Sequence, residues 1–217
     1  MDHKAWLDRW SNNRIGFHQP QPNRWLVQHW ETVQAQGAVF VPLCGKSLDM
    51  RYLEGLGHRV IGIDLARIAL EAYFEEGGEQ VLPSRHQRLE RFEGARSTLF
   101  CGDFFDLTSA ELEGVDTVYD RGALVALPRK LRAQYADHLL QVTDAGVRIL
   151  LVTIEYDQGL VAGPPFSVLP EEVDALYGAR AEVRALARTV TSEVPPHFAE
   201  QGVRSATEAV YLLNKRY

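Results

Sequence analysis

The sequence predicts a doubly wound α/β fold, a mostly parallel seven-stranded sheet with helices on both faces. Five short apolar runs, at 38–43, 59–65, 97–102, 114–122 and 147–156, are separated by longer stretches that include helix-length segments. Apolar residues dominate most of these runs, the pattern of strands buried on both faces. Two further runs, 181–189 and 206–217, alternate more and have no helix-length spacer, so they predict an antiparallel pair at one edge.

The elements follow in order. Trp6 and Trp10 stand four residues apart and share a face of an N-terminal helix. Gly16, Pro20 and Pro22 break that helix, and a second one starts at Arg24 and is closed by Gly37. After the first strand, 47–57 reads as a helix with Ser47 as N-cap and Gly57 as stop. A third helix follows the second strand and runs through Gly77. The basic run from Arg85 to Arg91 is interleaved with acids and reads as a solvated helix face. Pro128 opens a long helix over 128–143, and a short helix lies near Pro170 to Tyr177.

The chain has 217 residues, room for one sizeable core, and reads as a single domain, with 1–37 as a helical extension and 38–217 as a Rossmann-like body. A net charge of −6 argues against a non-specific nucleic-acid or anionic-membrane surface. The two cysteines, Cys44 and Cys101, form no CxxC pattern, and a reducing cytoplasm is expected. The N-terminus lacks an apolar signal core, and no stretch is long enough to span a bilayer. No HExxH, clustered His/Cys or GxSxG supports a metal site or a serine nucleophile.

In such sheets ligands lie beyond the carboxyl ends of the strands. After the first strand stands Leu43-Cys44-Gly45-Lys46-Ser47, whose last three residues imitate the end of a triphosphate-binding loop. The required leading glycine is replaced by Phe40, so the loop cannot wrap a phosphate chain. Asp64 ends the second strand, nineteen residues beyond Gly45, where an acid accepts from ribose hydroxyls; alternatively it caps the helix that follows. With one glycine only, the turn suits a nucleoside ligand without phosphates, and S-adenosylmethionine is such a ligand. Asp103 and Phe104 follow the third strand and could meet an adenine amine and ring face, or form a polar turn beside a core phenylalanine. Asp120 and Arg121 end the fourth strand among apolar residues, as functional charges or as a structural pair. The aromatics Trp6, Trp10 and Phe17 are either core or a lid over the strand ends. Gly163-Pro164-Pro165-Phe166 would form a rigid apolar wall or simply a tight turn. A nicotinamide-dependent oxidoreductase and a non-catalytic S-adenosylmethionine sensor share much of this pattern.

The stretches "RIGFHQ" (14–19), "VPLCGKSLDM" (41–50), "GHRVIGIDL" (57–65), "CGDFFDL" (101–107), "YDRGALVAL" (119–127), "GPPFSV" (163–168) and "VYLLNKR" (210–216), with Trp6 and Trp10 before them, resemble the thiopurine S-methyltransferases, the bacterial members in particular. The resemblance implies the class I S-adenosylmethionine-dependent methyltransferase fold, seven strands with the last antiparallel. It implies methyl transfer to sulfur of aromatic and heterocyclic thiols, with S-adenosylhomocysteine as product. By motif the cofactor would contact Trp6, Trp10, Leu43, Gly45, Asp64, Asp103, Phe104 and Arg121, while Phe17 and Pro165 would border the substrate. Bacterial relatives are also linked to selenium and tellurium compounds and to tellurite resistance. A monomer without nucleic-acid or membrane partners is expected. Two departures stand out. Asp64 occupies a position where the family usually has Glu, and "PPHFAEQG" (195–202) offers His197 where mammalian members carry a substrate-side Arg. Arg121 is expected to act by charge and position; Asp120 is the only candidate base, and a weak one.

Overall fold

The computed structural model describes residues 3–192, 194 and 196–217, with the side chains of 196 and 197 outside the description. Its elements run α1 (His3–Ser11), α2 (Arg24–Val33), β1 (Ala38–Pro42), α3 (Leu48–Gly55), β2 (Val60–Asp64), α4 (Arg67–Glu76), β3 (Ser84–His86), β4 (Leu89–Glu93), β5 (Ser97–Cys101), β6 (Val115–Arg121), α5 (Arg129–Val142), β7 (Arg148–Glu155), α6 (Pro170–Tyr177), β8 (Ala181–Thr191), α7 (Pro196–Glu200) and β9 (Ala206–Lys215). Local chemistry sets several boundaries. Asn23 caps α2 by accepting from the Trp25 N–H, and Ser47 caps α3 by accepting from the Asp49 N–H. Helix α2 ends at Val33, earlier than Gly37, because Gln34 adopts a left-handed conformation (φ 55°).

Among the described residues the strands form one sheet in the order β3-β4-β5-β2-β1-β6-β7-β9-β8. The centre is parallel: β1 pairs with β2 and β6, β2 with β5, and β6 with β7. Strand β9 lies antiparallel between β7 and β8, so the expected edge pair is present with the last strand inserted. Two apolar layers cover the sheet. One packs Phe40, Ile61, Phe100, Val118 and Leu151 against α5 and α6; the other packs Val39, Val60, Leu99, Leu150 and Val210 against α2, α3 and α4.

The sheet has nine strands rather than seven, and the difference lies in the stretch read as a helix face. Residues from Ser84 to Glu93 form the hairpin β3–β4, turning at Gln87 (φ 53°), and β4 pairs antiparallel with β5. Leu89 and Phe92, three apart, mimic a helical stripe. In a strand that spacing sends them to opposite faces, and each joins a different apolar layer. The hairpin covers what would otherwise be an open edge at β5.

Candidate active site

The carboxyl ends of β1, β2 and β5 converge on one cleft, and its walls include His3, Trp6, Leu43, Asp64, Asp103 and Phe104. The turn after β1 is built from left-handed residues, Leu43 at φ 47° and Gly45 at φ 51°. A Cβ on Gly45 would stand 2.7 Å from Cζ2 of Trp10, so glycine here serves both the turn and the close approach of the indole.

Asp64 is 1% exposed at the end of β2. Its carboxylate accepts from the Gly45 N–H at 2.9 Å, the Ala66 N–H at 2.8 Å and the Trp6 indole N–H at 3.3 Å. Burial pushes its carboxyl above the usual carboxylate range, and these N–H donors pull it back. Both sequence readings thus meet in one residue: Asp64 bonds the amide that leads into α4, and it also faces the cleft.

Asp103 accepts from the Phe105 N–H at 3.0 Å and stands 3.3 Å from the His3 imidazole. Phe104 is buried, with its ring 4.8 Å from that of Tyr135. Arg121 is half-buried and donates from Nη2 to the Phe17 carbonyl at 3.3 Å. Phe17 in turn stacks on Trp6 at 5.0 Å. Trp6 and Trp10 pack on Ala66 and Ala69, which accounts for their burial. His18 is half-buried; burial, aided by the Lys46 and Arg121 charges, holds its pKa down against the opposing Glu76 and Asp49.

Asp120 and Arg121 form no pair. Neighbours on a strand point to opposite faces. Asp120 turns into the core, accepting from the Tyr135 hydroxyl at 2.7 Å and the Leu124 N–H at 3.1 Å. Pro165 lies in the loop after β7, where its carbonyl accepts from the Tyr156 hydroxyl at 2.6 Å and the Phe166 N–H bonds the Val125 carbonyl at 2.6 Å. The peptide bonds before Pro164 and Pro165 are cis. His197 belongs to α7, and its side chain lies outside the described residues. Ser47 caps α3, and Lys46 pairs with Glu76, so neither residue is arranged to hold a phosphate chain. His3 and Tyr135 were not singled out by sequence; each reaches the cleft from an element whose pattern reads as ordinary helix.

A profile described as Thiopurine S-methyltransferase (TPMT) matches residues 1–216. The chain belongs to the thiopurine S-methyltransferase family. Curated relatives of that name include one from Nitrosospira multiformis, 42% identical over all of this chain and 99% of its own length. Another, from Marinobacter nauticus, is 38% identical over the whole of both chains. Among solved structures the fold resembles the Burkholderia thailandensis 1,6-didemethyltoxoflavin-N1-methyltransferase with bound S-adenosylhomocysteine, at TM-score 0.64 and 16% identity over 99% of this chain and 87% of that one. It also resembles the N-methyltransferase NodS from Bradyrhizobium japonicum in complex with S-adenosylhomocysteine, at TM-score 0.62 and 10% identity over the whole of both chains. The fold is therefore that of the S-adenosylmethionine-dependent methyltransferases, and family membership makes the chain an enzyme of that cofactor, setting aside the nicotinamide alternative. Among the described residues no helix is long and apolar enough to cross a membrane, and no group of three or more His, Cys, Asp or Glu could hold a metal ion.

The residues at the strand ends fit a nucleoside cofactor. Asp64 supplies a buried acceptor, the Gly45 turn admits close approach, and Phe104 offers a ring. The space between them is small, however. The cavity holds about 30 Å³, enough for a water or two and far below the roughly 300–1,000 Å³ of a ligand pocket. Trp6, bonded to Asp64 and stacked on Phe17, forms one wall of it.

Proposed function

We propose that the chain methylates the sulfur of small aromatic and heterocyclic thiols, thiopurines among them, and that α1 and the following turn form a lid over the reacting groups. The family match over residues 1–216 is the observation that carries the substrate class. In this reading Asp64 accepts from ribose hydroxyls, Asp103 and Phe104 meet the adenine, and Leu43, Gly45, Trp6, Trp10 and Arg121 complete the cofactor site. Phe17 and Pro165 border the acceptor, and His197 lies on that side as well. Soft selenium and tellurium nucleophiles fit the same chemistry, which would connect the enzyme to tellurite resistance.

S-adenosylmethionine supplies, when bound, a methyl group already activated on a sulfonium. The protein's own part is position and field. Holding a nucleophile in line can remove up to roughly 7–11 kcal/mol of a barrier. The Arg121 guanidinium, reached from the lid through Phe17, favours an ionised sulfur. Asp120 is turned into the core toward Tyr135, which supports a reading in which the thiol has lost its proton to solvent before attack. Apolar walls at Phe17 and Pro165 would then keep water from the sulfur.

The test is a rate series over aromatic thiols of differing acidity and matching phenols at varied pH. Thiols should react, with the pH midpoint following each thiol's own pKa, while phenols, still protonated near neutrality, should not. Arg121→Lys should slow transfer, since a flexible ammonium lacks the fixed guanidinium fork. A midpoint that stays put from thiol to thiol would assign the proton to an enzyme base and overturn this account.

A further inference from the structure

A second cavity is far roomier than the cofactor cleft. It measures about 340 Å³ and lies at the opposite end of the same strands. The cleft takes Ile63, Asp64 and Gly102, whereas this cavity takes Arg59 and Ile61 at the start of β2, Thr98 at the start of β5 and Phe100 further along it. The pairings Ile61–Thr98, Thr98–Glu93, Phe100–Arg91 and Ser84–Arg91 put all these side chains, with His86, on one face of the sheet. The space exists because the connection from β5 to β6 carries two 3₁₀ turns, Phe104–Asp106 and Ser109–Leu112, in place of an α-helix.

The two walls differ in charge. On the sheet side stand Arg59 and Arg91. Arg59 donates to the Thr98 hydroxyl at 3.1 Å and lies 3.9 Å from Glu93, and its side chain is more than half exposed. Arg91 pairs through Nη2 with Glu93 at 2.8 Å, and its buried Nε has no acceptor among the described residues. On the facing turn stand Glu111 and Glu113. Glu111 is committed: it accepts from His86 at 2.7 Å, Gln87 at 3.3 Å and both the N–H and hydroxyl of Thr108 at 2.7 Å. Glu113 has no hydrogen-bond or ion-pair partner among the described residues. Between the walls the floor is apolar, formed by Ile61 and Phe100. A simple anion would meet Glu113 and Glu93 as well as the arginines, and a simple cation would meet the reverse. A molecule carrying both charges on an apolar body satisfies both walls at once.

We propose that this cavity is a second ligand site, separate from the cofactor cleft, for a small zwitterion of the apolar α-amino-acid type. Its carboxylate is taken by Arg59 and Arg91, its ammonium by Glu113, and its side chain lies on Ile61 and Phe100.

The test is calorimetry on the full chain saturated with S-adenosylhomocysteine, which removes the cofactor cleft as a competitor. The probes are L-leucine and its two half-charged counterparts, 4-methylpentanoate and isopentylamine. L-leucine should bind saturably with a Kd on the order of 1 mM or below, and each counterpart at least about tenfold more weakly, the scale of one charge-assisted hydrogen bond. Arg59→Gln and Glu113→Gln should each weaken L-leucine about tenfold or more while leaving S-adenosylhomocysteine affinity unchanged, which also reports that both variants are folded. Absence of saturable L-leucine binding, equal binding of 4-methylpentanoate, or unaltered binding in both variants would each overturn the proposal.

Discussion

Asp120 is wholly buried, and its hydrogen bonds, to the Tyr135 hydroxyl and the backbone N–H groups of Leu124 and Ala123, do not offset the loss of solvation. Burial raises its pKa from an ordinary 3.8 to about 6. The native chain therefore holds this proton more tightly than the unfolded chain. The corresponding stability is fully present below pH 3.8 and is lost as the pH rises through 6. The ionised form carries a penalty of about 3 kcal/mol, of which roughly half is already incurred at pH 5, leaving about 1.4 kcal/mol to be lost between pH 5 and pH 8. Asp120→Asn removes the titration and keeps an acceptor oxygen. Urea unfolding of both proteins at pH 5 and pH 8 should show the variant gaining on the parent by about 1.4 kcal/mol over that interval. A stability difference that is flat, or that shrinks as the pH rises, would refute the assignment of an ionised, poorly solvated Asp120. The same variant should retain methyl transfer; a loss of several orders of magnitude in a folded protein would restore Asp120 as a base.

Three further outcomes are expected. Asp64→Ala should weaken cofactor binding by about 1.5–3 kcal/mol, measured by calorimetry, and should also lower stability because the Gly45 and Ala66 amides and the Trp6 indole lose their acceptor. Gly45→Ala should cost about 1–3 kcal/mol in chemical denaturation, since it strains a left-handed residue and drives a methyl into Trp10. Hydrogen exchange across α1 should change when S-adenosylhomocysteine is added, because the present cavity is too small to admit it without displacing Trp6; identical protection in both states would mean that α1 is core and not a lid.

The parallel centre was legible because its strands are short, nearly continuous apolar runs, as in "VIGID" of β2, and because Ser47, Gly77 and Pro128 mark helix ends. The hairpin was not, since Leu89 and Phe92 carry a spacing that a helix would share and only the edge of β5 decides between the two. The strand-end residues Asp64, Asp103 and Arg121 could be placed from topology alone, but their partners could not. Asp120 meets Tyr135 from a helix fifteen residues on, and Trp6 reaches Asp64 across fifty-eight. Such contacts depend on how the layers close. The occupation of the cleft by α1, and the vacancy at the other end of β2 and β5, belong to packing that no local pattern encodes.

The position of β9 bears on how the chain is made. Strand β8 leaves the ribosome before β9, yet it can join the sheet only through β9, which separates it from β7. Until β9 is synthesised, the strongly apolar β7 stands as an open edge and β8 has no neighbour. The nascent chain is then at its most vulnerable to pairing with other chains and to chaperone capture. Translation pauses placed just upstream of residue 206 should therefore lower the soluble yield, whereas pauses upstream of the β3–β4 hairpin, before the sheet's other flank exists, should matter less.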